Sequence, residues 1–424
     1  MRNILFTVIL TFAFSCNEIL EENPKAVAIE TFYNTAEEIE GAVYAAYSPF
    51  RAALGSNPSI WLVNGGQVDY AYGRLSFANM SDFQAFSSTN ISRVTEIWAN
   101  FYQGIRNANL VIKNAPNASK ATSEEINKYI AEAKFLRGLS YFYMVRNWGA
   151  LPLRTEENML EPDVPRSPIS DVYTLITSDI EYAEANLPST QPNAGRADQF
   201  AAKAILSHVY LQLERWSDAR SKALEVINSG RYSLVEVKTS DDFYKIFGPE
   251  INKSSEEVFY AKFNYTSASY TARYRHHPSF PQYFNSTGVF AKYADNVKTK
   301  VIKEWDNNDL RKTFNLYNAN IGFGTTTVLF KKFIDPDAPS SGGKNDFPAY
   351  RYPDILLFYA EADCRANNGP TPDGMEKLNM IHRRAYGYSP NAASPVDFNV
   401  NNYNTNTFID LILQEGMYEQ MDHI

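Results

Sequence analysis

The 424-residue chain is long enough for a large core and for two or three domains' worth of chain. Its net charge is −8, and no basic run offsets it, which argues against nucleic acid or an anionic lipid surface as a partner. There are only two cysteines, Cys16 and Cys364, so a disulfide framework is excluded, and the 28 tyrosines suit half-wet surfaces as well as cores.

The chain opens with Arg2, then a short apolar run from Ile4 to Phe14 that is too short for a stable membrane-spanning helix. Ala13-Phe14-Ser15-Cys16 reads as a lipobox, so residues 1–15 are expected to be a lipoprotein signal peptide and Cys16 the lipidated first residue. Residues 16–34, with Pro24, are then a lipidated tether. Residues 35–54 form a helix: Thr35 and Glu38 have capping-box spacing, and Ile39, Val43, Ala46 and Phe50 share one face. Residues 55–92 lack periodicity and hold Trp61, Asp69, Tyr70, Tyr72 and Phe77 among Gly, Asn and Ser; so long a loop is uncommon unless it is functional. Residues 93–113 return to helix, with Ile97, Phe101, Ile105 and Ala108 on one side.

The central stretch is residues 122–153. Thr122 and Glu125 form a second capping box, and Ala131, Phe135, Leu139 and Phe142, flanked by Leu136 and Tyr143, make a broad apolar stripe. Arg137 and Arg146 lie in the half that the helix dipole favours for cations, and Gly149 and Pro152 stop the helix. So wide a stripe predicts a core helix covered on more than one side. Residues 161–167, amid Pro162, Pro165 and Pro168, are a loop, and residues 170–187 a helix ended by Pro188. Residues 197–213 and 218–229 are a helix pair joined by a tight turn, with Ser217 expected as N-cap and Gly230 closing the second helix. Ala201, Ala219 and Ala223 give it the look of a tetratricopeptide repeat. Residues 354–385 repeat the arrangement, and Cys364 within them is expected to be a buried small hydrophobe. Between the pairs, residues 258–263 read as a strand, and residues 265–293 are dense in Tyr, Phe, Asn, Ser and Gly.

Several of these stretches resemble the SusD/RagB family. Glu132-Ala133-Lys134-Phe135-Leu136-Arg137, Tyr141-Phe142-Tyr143 and Trp148-Gly149-Ala150-Leu151-Pro152-Leu153 resemble its helix signature. So do Trp98, Phe101-Tyr102, Ile105 and Ala108-Asn109, and later Arg351-Tyr352-Pro353, Tyr359-Ala360-Glu361-Ala362, Leu378-Asn379 and Arg384-Ala385. Asp309-Leu310-Arg311 and Lys332-Phe333 resemble its short motifs. Ile412-Leu413-Gln414-Glu415 resembles the start of its last signature, but Gly416 replaces an Arg and the family's final segment is missing.

The resemblance implies a mostly α fold: tetratricopeptide-like helix pairs in a right-handed scaffold, with long irregular loops and a few short strands. It implies one domain over residues 35–424, in which residues 35–230 and 350–424 are scaffold and residues 55–92 and 231–349 are ligand-face loops. Members are outer-membrane lipoproteins that capture nutrients in Bacteroidetes. The expected function is binding an oligosaccharide at the cell exterior and delivering it to a SusC-like TonB-dependent transporter. A peptide or glycopeptide ligand, as in RagB-like members, and a surface glycoside hydrolase are the alternatives.

No HExxH, CxxC, GxSxG, P-loop or GxGxxG occurs, so no enzyme motif, cofactor or metal is expected. His276 and His277 are adjacent and do not share a helical face; packed or solvated histidines explain them better than a metal pair. Asp335-Pro336-Asp337 lacks the glycine and distal Glu of a calcium loop. Trp61, Tyr70, Tyr72, Tyr283, Phe284, Tyr293 and Trp305 are candidates for a stacking platform, because a flat ring covers the apolar face of a sugar. Asp69, Asn64, Gln67, Arg74 or Asn285 would bond the hydroxyls.

Overall fold

The computed structural model describes residues 32–56 and 59–422. Cys16 and most of the expected tether lie outside the described residues. Nine long helices among the described residues carry the frame: α1 Ala36–Gly55, α2 Ser88–Asn114, α3 Ser123–Trp148, α4 Ile169–Asn186, α5 Gln199–Gln212, α6 Trp216–Asn228, α7 Tyr352–Ala366, α8 Pro372–Ala385 and α9 Thr405–Gln420. Each of α1 to α7 packs on the next, α8 packs on α7, and α9 closes against α7. This is the stack of antiparallel hairpins that the sequence predicts, in which no hairpin covers its own apolar face.

The local signals act where the sequence puts them. Thr35 and Glu38, and Thr122 and Glu125, close reciprocal capping boxes at α1 and α3. Gly149 ends α3 at φ 71°, where a side chain would be strained. Almost every residue of α3 from Tyr129 to Val145 is buried, as a helix covered on several sides requires. Arg137, in the half of α3 that the dipole favours for cations, points into the core. It is buried and grips Asp179 of α4 with two bonds, Nε–Oδ2 at 2.6 Å and Nη2–Oδ1 at 2.8 Å, and also pairs with Glu156. A guanidinium in the core needs such a fork of acceptors.

Three boundaries differ from the sequence reading. Helix α2 starts at Ser88, five residues early, because the Ser87 side chain accepts from Asn90 N and caps it. Ser217 sits inside α6; the turn before it tightens through Glu214 at φ 57°, so the helix begins at Trp216. The proline-rich loop forms a short strand, Arg166–Ser167, antiparallel to Leu151–Pro152.

Counting those two as β3 and β2, the strands are β1 Tyr72–Gly73, β4 Glu257–Ala261, β5 Lys292–Asp295, β6 Leu316–Asn318, β7 Thr327–Phe330 and β8 Phe347–Arg351. β4 and β8 pair and lie beneath the helices, with Phe259 packed on Phe50 of α1 and Phe135 of α3. The other sheet runs β1-β5-β7-β6. It is fastened to the frame by a buried ionic cluster around α9. Glu419 meets Arg351 at 2.8 Å, Arg384 at 2.7 Å and Arg311 at 3.5 Å. Burial pushes the Glu419 carboxyl up, but these three guanidiniums outweigh it and hold it well below the usual carboxylate range. Just beyond α9, Asp422 pairs with Arg275 and Lys292, and its carbonyl accepts from Trp61 Nε1. Cys364 is buried, as expected.

Candidate functional site

The two irregular segments of the sequence meet at β1 and β5. Tyr72 opposes Tyr293 and Gly73 opposes Lys292, and Arg74 N donates to the Ala291 carbonyl at 2.6 Å. Gly73 is needed there: a Cβ would stand 2.7 Å from the Phe77 carbonyl oxygen. Opposed residues on antiparallel strands point to the same side, so Tyr72 and Tyr293 form a cross-strand aromatic pair, 5.9 Å between ring centroids.

From that pair the rings continue without a break. Tyr293 stacks on Phe323 at 4.9 Å, and Phe323 packs on Phe290 at 6.0 Å. Phe290 meets His277 at 5.1 Å, and His277 meets Phe280 at 6.0 Å. Phe280 and Tyr283 close on Tyr317 at 5.1 and 4.6 Å. Phe323 is 48% exposed and Tyr72 37%, although both are large and partly apolar. Burial, and then the nearby Arg74, push the His277 imidazole down, so it is neutral among the rings. At one end the Tyr72 hydroxyl donates to both Asp82 oxygens at 2.9 Å.

Three of the sequence candidates, Tyr72, Tyr283 and Tyr293, lie on this run. Trp61, Tyr70, Phe284 and Trp305 are interior and offer no surface for a ligand to stack on. Their polar tips find partners inside. Trp61 lies under Arg275 and Lys292; the Tyr70 hydroxyl accepts from Asp422 N at 3.1 Å; Trp305 stacks on Tyr418 at 4.4 Å and donates to Asp309. Phe284 is sandwiched between His276 and the Ala272 and Ala338 side chains. Asp69 is exposed in the turn beside Tyr70. Of the polar candidates, Arg74 belongs to the run, with its guanidinium 4.4 Å from the Phe290 centroid. Asn64 bonds Asn147, Asn285 bonds the Ala338 carbonyl, and Gln67 is exposed. Phe280, Phe290, Tyr317 and Phe323 were missed. Phe323 carried a usable signal: it stands between Gly322 and Gly324, both at positive φ, which is how a hairpin tip presents one large side chain.

The helical frame has concavities of its own. A cleft of about 390 Å³ lies between α1 and β4, lined by Tyr44, Tyr47, Arg51, Arg196 and Lys262 among others. Two of its charged groups are ion-paired within the protein: Arg196 with Glu132 and Glu40, and Lys262 with Glu257 and Asp346, while Arg51 reaches only the Lys262 carbonyl. The aromatic face combines the exposed rings of Tyr72 and Phe323 with a continuous chain of ring contacts, and is taken as the candidate site. Among the described residues no cluster of His, Cys, Asp and Glu could hold a metal ion.

Comparison with known proteins agrees with this architecture. Residues 30–211 match the family described as SusD-like, "Starch-binding associating with outer membrane", and residues 216–421 match the SusD family. The chain belongs to the SusD/RagB family. It is 25% identical to SusD-like protein P25 of Formosa agariphila, over 91% of this chain and 82% of that protein. It is 30% identical to a SusD-like protein of Bacteroides ovatus, over 63% of this chain and 48% of the relative. Among solved structures it superposes on a SusD homolog from Bacteroides thetaiotaomicron with a TM-score of 0.77 at 21% identity, covering 93% of this chain and 85% of that one. A SusD-like carbohydrate binding protein from Bacteroides vulgatus gives 0.72 at 18% identity, covering 92% and 81%. The fold of the SusD family is therefore shared along nearly the whole described chain.

Proposed function

We propose that this SusD-family protein is a cell-surface glycan-binding lipoprotein that captures an oligosaccharide and delivers it to a SusC-like TonB-dependent transporter. One observation carries the reading: the unbroken run of rings from Tyr72 to Tyr317, exposed at Tyr72 and Phe323 and anchored to the sheet at Tyr72, Tyr293 and Tyr317. Sugar rings expose C–H faces that such rings cover, while hydroxyls at the edge reach polar groups such as Asp82 and Arg74. The starch-binding, outer-membrane description of the family supports a carbohydrate ligand and an envelope location. The mechanism is binding without bond cleavage, with Cys16 as the lipid anchor.

The test is a glycan array followed by calorimetry on the best ligand. Tyr293→Ala and Phe323→Ala are each expected to weaken binding about tenfold or more, since each removes one stacking surface. Wild-type-like affinity in both variants, or no glycan bound at all, would sink the reading. A tagged chain recovered from outer membranes should bring the transporter with it.

A further inference from the structure

The aromatic run is crossed by cations that the rest of the molecule does not neutralise. The Arg74 guanidinium lies 4.4 Å from the Phe290 centroid and 6.0 Å from that of Phe323. Its one side-chain hydrogen bond among the described residues is from Nη1 to the Phe290 carbonyl at 2.7 Å. That bond leaves most of its five N–H donors without a hydrogen-bond partner among the described residues. Farther along, the half-buried Lys331 ammonium sits 5.9 Å from the Tyr283 centroid. Neither cation has a carboxylate within ion-pairing distance among the described residues. The buried guanidiniums Arg137, Arg196, Arg275, Arg311, Arg351 and Arg384 all do.

Two acids near the face already accept hydrogen bonds. Asp82 accepts from the Tyr72 hydroxyl, and the buried Asp335 accepts from the Tyr265 hydroxyl and from Lys344 N. Asp241 acts on Lys331 only at a distance. A guanidinium beside the rings presents a fork that matches a planar or tetrahedral oxyanion, while the rings hold the sugar that bears it.

We infer that this face selects oligosaccharides bearing anionic substituents, carboxylate or sulfate, and that Arg74 is the residue that selects them, with Lys331 as a second contact; this rests on the reading that the face binds glycans. The rings take the apolar face of the sugar, and the two cations take its anionic substituent.

The test uses the full chain and matched pairs of ligands that share a backbone. One pair is oligogalacturonate and its methyl ester, the other a sulfated carrageenan oligosaccharide and its desulfated form, with neutral malto-, xylo- and galacto-oligosaccharides beside them. The expected result is preference for the charged member of at least one pair. That preference should weaken as salt rises from about 50 to about 500 mM. Arg74→Gln should lower the charged-to-neutral affinity ratio about tenfold, and Arg74→Lys should keep part of it. Should Arg74→Gln melt early, Lys331→Met supplies the same ratio from the other cation. Preference in the carboxylate pair or in the sulfate pair identifies the substituent. Equal affinity for both members of every pair, or binding confined to neutral sugars, overturns the inference and leaves glycan binding standing. No binding to any member overturns both.

Discussion

His276 is buried, stacked 5.7 Å from Phe284, with Nε2 held 2.7 Å from the Phe333 carbonyl. Burial, with Arg275 beside it, outweighs that hydrogen bond and lowers its pKa from 6.5 to about 4. The unfolded chain takes up a proton below pH 6.5, while the native ring resists until about pH 4, so stability is lost as pH falls across that window. The contribution is roughly 3 kcal/mol at the acid end. His208, buried beside Arg146, acts in the same direction. Melting temperature should therefore fall between pH 6.5 and 4, and His276→Gln should flatten the slope in part. An unchanged slope in that variant would show the ring is solvated. The adjacent pair His276-His277 was legible as packed histidines but not as one core ring and one ring of the aromatic run. Nor could Trp61 and Trp305 be told from Tyr293 and Phe323 by residue type. A large ring looks the same in sequence whether its plane faces a cation in the core or water.

At the scale of elements, the frame follows from caps and periodicity, which are local. The junction of the two loop segments does not. It depends on the two-residue strand β1, too short to leave a pattern, and on Gly73 beneath Phe77. Gly73→Ala is expected to destabilise by about 1–3 kcal/mol through overpacking, and to weaken ligand binding by moving Tyr72. Gly41 in α1 is the contrast, since a Cβ there would meet nothing within 4 Å. Gly41→Ala should raise stability by roughly 0.5–1 kcal/mol, because the helix loses a flexible interior residue. Urea unfolding of the two variants measures both signs. Equal effects would mean that helix propensity, and not the junction, sets the response. The strand Arg166–Ser167 escaped detection for a related reason: prolines mark a loop but tolerate an edge pairing.

At the scale of the molecule, the cluster on α9 joins frame and sheet. Glu419 alone faces Arg311, Arg351 and Arg384, which come from the sheet side, from the β8–α7 boundary and from α8. Glu419→Gln leaves those guanidiniums short of a buried counter-charge and should cost about 3–5 kcal/mol, read by urea unfolding. A loss under about 1 kcal/mol would mean that Glu256, which also pairs with Arg351 and Arg384, and Glu415, which also pairs with Arg311, suffice. Helix α9 is capped at Asn404 and buries Phe408, Leu411, Ile412 and Tyr418. What the sequence alone determined is the stack of hairpins and the family, because capping boxes, apolar stripes and helix stops act within a few residues of chain. What only the tertiary structure decided is which aromatics face out. That choice is made by long-range partners, Asp422 drawing Trp61 and Tyr70 inward and β5 holding Tyr72 beside Tyr293, and such pairings leave no periodic trace in the chain.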